Sequence, residues 1–294
     1  MTRASFFVGL RSVFYKLASV TGQGLLVVLA GTLEQHYGDN TKAWSMTMIC
    51  AGTLMLLMTI TNFFTTPKFE TSDTIQLEKP KGFLEVFVSF FKKPGMGIAI
   101  TFILFFRLGE SQLVKMASPF LLDPVSAGGL GYSTSEVGTI YGTIGVIFLT
   151  VGGILGGILI SRDGLKKWML PMLISLNAPN ALYALLAITG TNSAIAVTGT
   201  VIVEQFGYGF GIAGFMVYLI HVAEGNSKTS HYALATGFMA LGMMLPGLIS
   251  GFMQEWLGYD GFFIWVVIAA LPAFILLKYI KYPPNFGKAR DTNA

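Results

Sequence analysis

Charged and amide side chains lie inside long apolar stretches of this sequence, where they could bind ions or protons. Arg107 and Glu110 share one stretch, and Glu204 lies in another. A charge at the centre of a bilayer costs at least about 2.5–3.5 kcal/mol, so such residues usually have a partner or a function. Two interpretations stay open: a buried salt bridge that holds helices together, or a substrate and proton site. We favour the second, in which Arg107 binds an anionic group and Glu204 or Glu110 takes up a proton.

Three further polar residues are candidates for substrate binding. Lys115 follows Arg107 by two turns and is expected to extend toward the outer surface. Gln205 adjoins Glu204, and Gln23 places an amide inside the first apolar stretch. Among Ser, His, Asp and Cys residues no catalytic spacing is evident, so we predict no catalytic residue, no cofactor and no metal site. A single cysteine, Cys50, excludes an internal disulfide.

The elements that must position these residues are apolar helices. The chain of 294 residues is 53% hydrophobic and 12% charged, with a mean hydropathy of +0.65. Soluble domains carry about 25% charged residues, which excludes a soluble globule. The predicted fold is therefore an all-α integral membrane bundle of about eight transmembrane helices. The predicted spans are residues 14–33, 44–66, 95–118, 137–160, 168–189, 194–221, 232–256 and 259–279.

The distribution of basic residues predicts the orientation of these spans. Of the 19 lysines and arginines, all but Lys42, Arg107 and Lys115 fall in segments on one side of an alternating topology. By the positive-inside rule, that side and both termini are cytoplasmic. The net charge of +4 is thus explained by topology and lipid headgroups, and nucleic acid is not expected as a partner.

The spacing of the spans divides the chain into four parts. Residues 1–66 hold two spans, 67–94 form a cytoplasmic linker with an amphipathic helix, 95–281 hold six spans, and 282–294 form a cytoplasmic tail. Intramembrane charges fall in the third and sixth spans, while the second, fifth and eighth have none in their centres. This period of three is expected of a bundle built from three-helix repeats.

One loop resembles a signature of the major facilitator superfamily of transporters. Residues 157–167 read Gly-Ile-Leu-Ile-Ser-Arg-Asp-Gly-Leu-Lys-Lys and resemble the pattern G-x-L-x-D-R-x-G-R-K. The loop joins the second and third spans after the linker, which is where that superfamily has it. Ser161 and Leu165 depart from the pattern, and Asp163 is the candidate substitute for the missing acidic residue. The resemblance implies a loop that gates conformational change, formed by Gly157, Arg162, Asp163, Gly164 and Lys166.

Within that superfamily the chain is similar to the AmpG-type muropeptide permeases. The similarity rests on five short stretches: Arg107-Leu-Gly-Glu110, Gly131-Tyr132 with Glu136-Val-Gly138, Gly156-Gly157-Ile-Leu, Glu204-Gln205 with its glycine run, and His231-Tyr-Ala-Leu234. It implies a secondary active transporter that imports anhydro-muropeptides with protons across the bacterial inner membrane for cell-wall recycling. The nearest alternative is a transporter of acetyl-CoA or of another organic anion or sugar. A membrane-embedded transferase and a non-transporting sensor remain as alternatives of other classes.

The resemblance also implies more helices than this chain carries. Such transporters have twelve spans in two six-helix halves, and this sequence aligns with the last eight. We therefore expect a fragment or a misplaced start codon. We also expect that the 294-residue chain alone does not transport, because the missing helices are normally part of the same chain.

Overall fold

The computed structural model describes Ala18, residues 21–65 and residues 82–288, and these are almost entirely helical with no strand among them. Six of the described helices are long and apolar enough to cross a membrane, which confirms the predicted all-α membrane bundle. The longest, Lys228–Leu277, contains the predicted seventh and eighth spans, and its backbone departs from helical geometry at Gly258. The first predicted span lies partly outside the described residues.

The helices are numbered here in chain order. They are α1 (Leu26–Tyr37, after a π-helical turn at Thr21–Leu25), α2 (Asn40–Thr65), α3 (Phe83–Phe91), α4 (Met96–Phe106), α5 (Leu108–Leu122), α6 (Thr134–Val137, followed by a π-helix at Gly138–Gly145), α7 (Val146–Asp163), α8 (Leu165–Asn177), α9 (Asn180–Thr189), α10 (Ala194–Ala223), α11 (Lys228–Ala269) and α12 (Leu271–Leu277).

The described helices form two compact units, and the first contains α1, α2 and α6. Helix α1 ends at Gly38, whose φ of 64° is the left-handed conformation that glycine adopts most easily. A Cβ on Gly31 would lie 2.7 Å from the backbone nitrogen of Ser135, so α1 needs a glycine to pack against the start of α6. Most of the apolar side chains of α2 are exposed, as expected of a helix in contact with lipid.

The second unit holds residues 86–132 and the chain from 144 onward, and small residues bring its helices together. A Cβ on Gly152 would collide with the carbonyl oxygen of Phe206, and one on Gly209 would collide with the carbonyl oxygen of Leu149. Glycines therefore allow α7 and α10 to approach backbone to backbone, as small residues do between membrane helices. This contact fixes α10, which carries Glu204.

Helix breaks at Arg107 and Pro179 interrupt two of the spanning segments of the second unit. Arg107 separates α4 from α5 and has φ −111° and ψ 15°, outside the helical region. Pro179 separates α8 from α9, since proline has no N–H to continue the ladder. Helices that break inside a membrane are common at binding sites, because they place backbone and polar groups within the bilayer.

Lys93 lies in the turn between α3 and α4 and bonds to the C-terminal end of α10. Its Nζ donates to the carbonyl oxygens of Val222 and Glu224, each at 2.7 Å, where α10 ends. Burial lowers the pKa of Lys93, and the nearby carboxylate of Glu224 offsets this in part. A basic side chain at a helix C-terminus satisfies carbonyls that have no partner in the helix.

Lys93→Met is expected to destabilise the protein by about 1–2 kcal/mol, because two charge-assisted hydrogen bonds are lost at a half-buried position. Thermal unfolding in detergent measures the change. Lys92→Met is the matched control, since Lys92 is an exposed neighbour on the same turn and is expected to change the unfolding temperature little. Equal effects of the two variants would contradict the role of Lys93.

Candidate functional site

The break in the third span places Arg107 near the middle of the membrane. Arg107 lies eleven residues after the start of α4 at Met96, which corresponds to about 16 Å along the helix axis. Glu204 lies ten residues after the start of α10 at Ala194, or about 15 Å from the opposite end. The hydrocarbon core is about 30 Å thick, so both charged side chains lie at similar, central depth.

Arg107 and Glu110 form a buried two-point ion pair. Nε of Arg107 donates to Oε2 of Glu110 at 2.8 Å, and Nη2 donates to Oε1 at 3.1 Å. The side chains of Arg107 and Glu110 are 6% and 1% exposed. The i, i+3 spacing predicted this contact, and the planar guanidinium supplies the fork that a carboxylate matches.

Two residues from other helices complete the surroundings of Arg107. Nη2 donates to the hydroxyl of Tyr208 on α10 at 3.1 Å, and Nη1 donates to Sδ of Met243 on α11 at 2.6 Å. The guanidinium carbon also lies 5.2 Å from the centre of the Tyr208 ring, a cation–π distance. Three helices therefore converge on one cation.

Glu204 lies on the same helix as Tyr208, one turn earlier. It is buried and accepts from Nε2 of Gln205 at 3.0 Å to each carboxylate oxygen, and from the hydroxyl of Tyr183 at 3.4 Å. Because residues four apart share a helix face, Tyr208 links the surroundings of Glu204 to those of Arg107. The structure thus pairs Arg107 with Glu110, and it places Glu204 and Gln205 about one turn from Tyr208, which contacts Arg107.

Further buried polar groups surround this region. Trp265 donates its Nε1 to the side-chain oxygen of Gln112 at 2.9 Å, and Nε2 of Gln112 donates to the carbonyl of Leu108 at 3.0 Å. Asn180 is fully buried at the start of α9. A Cβ on Gly109 would lie 3.3 Å from Nδ2 of Asn180, so Asn180 lies beside the turn that holds the ion pair.

Other predicted candidates lie elsewhere. Lys115 is exposed, and its aliphatic stem covers Gly247, where a Cβ would be 3.3 Å from the Lys115 side chain. The side chain of Gln23 is outside the part of the chain that the structure describes. Sequence analysis did not single out Tyr208 or Met243. The i, i+4 spacing from Glu204 could have indicated Tyr208, whereas Met243 is 136 residues from Arg107 and gave no signal.

Where α7 ends and α8 begins, three side chains donate to one carboxylate. Asp163 accepts from Arg162 at 3.2 and 3.0 Å, from Nζ of Lys167 at 3.1 Å and from the indole nitrogen of Trp168 at 2.9 Å. Lys166 and Lys167 are both exposed, and it is Lys167 whose Nζ reaches Asp163. Asp163, the predicted substitute for the missing acidic residue, thus pairs with basic side chains of this loop, two positions after Ser161, where the superfamily pattern has its acidic residue.

Backbone contacts hold this loop at Gly164 and Leu165. Gly164 has φ 87°, and a Cβ there would lie 2.8 Å from the carbonyl oxygen of Pro284. The N–H of Leu165 donates to the carbonyl of Phe286 at 2.8 Å. Gly157, in contrast, is exposed and has no heavy atom near its Cβ position. The glycine with a steric requirement is therefore Gly164.

These features define a class of protein. The part of the chain that the structure describes has six apolar helices of spanning length and a buried ion pair at a helix break, and these features are those of a multi-pass membrane protein. No family model matches the chain. Curated proteins do match it, and the predicted resemblance to AmpG-type permeases is confirmed.

The chain is 26% identical over 277 residues to the anhydromuropeptide permease of Escherichia coli (strain K12), which covers 93% of this chain and 54% of that protein. It is 25% identical over 268 residues to putative transporter AmpG 4 of Rickettsia conorii, covering 89% of this chain and 62% of that protein. Putative transporter AmpG 2 of Rickettsia prowazekii is 27% identical over 267 residues, or 89% of this chain and 61% of its own length. The chain therefore spans about half to three fifths of the length of these relatives.

Proposed function

We propose that this chain forms part of a secondary active transporter that carries anhydromuropeptides with protons into bacterial cells. The relatives' names supply the substrate class, and the observation that carries the proposal is the Arg107–Glu110 pair at a break in a spanning helix. In this proposal the protein lies in the inner membrane with both termini in the cytoplasm, as the distribution of basic residues predicts.

Arg107 is suited to hold an anionic group of the substrate. Its guanidinium keeps its charge under all physiological conditions and presents donors in a fixed plane. The partners Tyr208 and Met243 are neutral, so among the described residues the only carboxylate bonded to it is that of Glu110. The cation can therefore accept a second anion in exchange for weak neutral partners.

Glu204 is suited to exchange the proton. Protonation of Glu110 would break the two-point pair with Arg107, whereas Gln205 and Tyr183, which donate to Glu204, are a neutral amide and a phenol. When a carboxylate becomes protonated, its hydrogen bonds to neutral donors lose less energy than a bond to a cation does. Glu204 and Tyr208 share a helix face, so proton uptake can alter the contacts of Arg107 through α10.

The loop around Asp163 is proposed to gate the conformational change. Asp163 is bonded to Arg162 and Lys167 and to the indole of Trp168, and it joins the end of α7 to the start of α8. Breaking these bonds would let the two helices move separately. Gly164 permits the close contact with Pro284, which places the chain after α12 against the same loop.

The substrate class is tested by calorimetric binding to the chain in lipid nanodiscs. We expect an anhydromuropeptide to bind, and acetyl-CoA and a neutral disaccharide to bind at least tenfold more weakly. A ten-fold difference corresponds to about 1.4 kcal/mol, which the method resolves. Stronger binding of acetyl-CoA would replace this proposal with the organic-anion alternative, and stronger binding of the disaccharide would replace it with a sugar transporter.

Glu204→Gln is expected to abolish proton uptake that accompanies substrate binding, while it leaves substrate affinity within about threefold of the original value. Proton uptake is measured from the binding heat in buffers of different ionisation enthalpy. Glu255→Gln serves as the control, because Glu255 is an exposed carboxylate on α11. Unchanged proton uptake in the Glu204 variant would exclude Glu204 as the coupling group.

A further inference from the structure

We propose that the Nη1–Nη2 edge of Arg107 receives a carboxylate of the substrate, and that the thioether of Met243 holds this place until the substrate displaces it. The inference rests on the proposed function and adds a subsite, its ligand group and two residues that tune it. The starting point is the number of donors on Arg107 and how each is used.

A guanidinium has five N–H groups. Glu110 takes the Nε–H and one N–H of Nη2, which together form one edge of the fork. The second N–H of Nη2 faces the hydroxyl of Tyr208, and Nη1 faces Sδ of Met243. The ion pair with Glu110 therefore uses one edge and leaves the other to neutral groups.

These neutral groups differ in how easily an anion replaces them. A thioether sulfur is a weak acceptor, and the methionine side chain is unbranched and adopts many shapes. Hydrogen bonds between a guanidinium and a carboxylate are roughly twice as strong as neutral ones and match in two points. A substrate carboxylate therefore gains by replacing Sδ at Nη1, and it can do so without breaking the bond to Glu110.

Tyr208 has a different part in this exchange. Its hydroxyl accepts from Nη2, and a hydroxyl can also donate through its own hydrogen. A carboxylate that replaces Sδ at Nη1 would therefore lie beside this hydroxyl. Met243 is only partly buried, whereas Arg107 and Glu110 are buried in the core, so Met243 is the less tightly enclosed member of this set.

Two substitutions of Met243 are expected to change affinity in opposite directions. Met243→Ala removes the competing acceptor, and we expect an anhydromuropeptide with free carboxylates to bind about three- to tenfold more tightly. Met243→Gln places a stronger amide acceptor of similar length against Nη1, and we expect about tenfold weaker binding. Tyr208→Phe is expected to weaken binding about fivefold. If Met243 had a purely structural role, both of its substitutions would change the binding affinity in the same direction.

The experiment compares two probes on the 294-residue chain in nanodiscs by calorimetry: an anhydromuropeptide with free carboxylates, and the same compound with its carboxylates converted to amides. The wild type is expected to prefer the free acid, and the Met243 variants are expected to lose or gain affinity for that probe only. Met244→Ala is the control, since Met244 is the exposed neighbour on α11 and should change neither affinity.

The outcomes separate this inference from the proposed function. Equal binding of both probes to the wild type, or shifts of both Met243 variants in one direction, would overturn the subsite and leave muropeptide binding intact. Failure of the wild type to bind either probe would overturn the proposed function and the subsite with it. Opposite shifts confined to the free acid would support both.

Discussion

Replacement of Arg107 by alanine is expected to destabilise the protein by about 3–5 kcal/mol. The substitution leaves the carboxylate of Glu110 buried without its guanidinium, and removing one partner of a buried ion pair carries a cost of this size. Met243 and Tyr208 each lose a hydrogen bond as well, so the contacts through Arg107 that join α5 to α10 and α11 are lost. The change in the free energy of unfolding is measured by denaturant titration in mixed micelles.

A double variant separates folding from binding at the same position. Arg107→Met with Glu110→Leu removes both charges, and replacement of a whole buried pair by apolar residues is often neutral or stabilising. We expect its stability to lie within about 1–2 kcal/mol of the wild type, while binding of the carboxylate probe is lost. If Arg107→Ala alone were as stable as the wild type, the buried ion pair would be contradicted. A double variant that still binds the probe would exclude Arg107 as the anion site.

Much of the fold followed from the sequence, because membrane insertion constrains sequence strongly. Long apolar stretches predicted the helices of residues 40–65, 96–122 and 194–223 closely, since a spanning helix must satisfy its backbone internally and must bury about 20 apolar residues. The pairing of Arg107 with Glu110 also followed, because their contact is local and depends only on helical spacing.

The rest of the site depends on contacts between distant segments, which one sequence does not reveal. Met243 meets Arg107 because α11 packs against α5, and the gap of 136 residues carries no periodic signal. The break at Arg107 was not predicted either, since no proline or glycine marks that position itself. In the loop after α7, spacing alone did not distinguish Lys166 from Lys167, which bonds to Asp163.

The sequence also did not show which glycines are required by helix packing. Gly157 and Gly209 both belong to glycine-rich stretches of spanning helices, and their sequence surroundings gave no reason to rank one above the other. In the structure a Cβ on Gly209 would collide with the carbonyl oxygen of Leu149, whereas one on Gly157 would meet no heavy atom within 4 Å. One glycine is required by packing, and the other is not.

Gly209→Ala is therefore expected to destabilise the protein by about 3 kcal/mol or more, because the obstructing atoms are backbone and α7 and α10 must separate to admit the methyl group. Gly157→Ala is expected to stabilise it by about 0.5–1 kcal/mol, because alanine loses less backbone entropy in a helix. Denaturant titration of both variants measures whether each substitution lowers or raises the free energy of unfolding. If the Gly209 variant matched the wild type, α7 and α10 would not pack as described. The position of Glu204 on α10, which depends on that packing, would then be wrong as well.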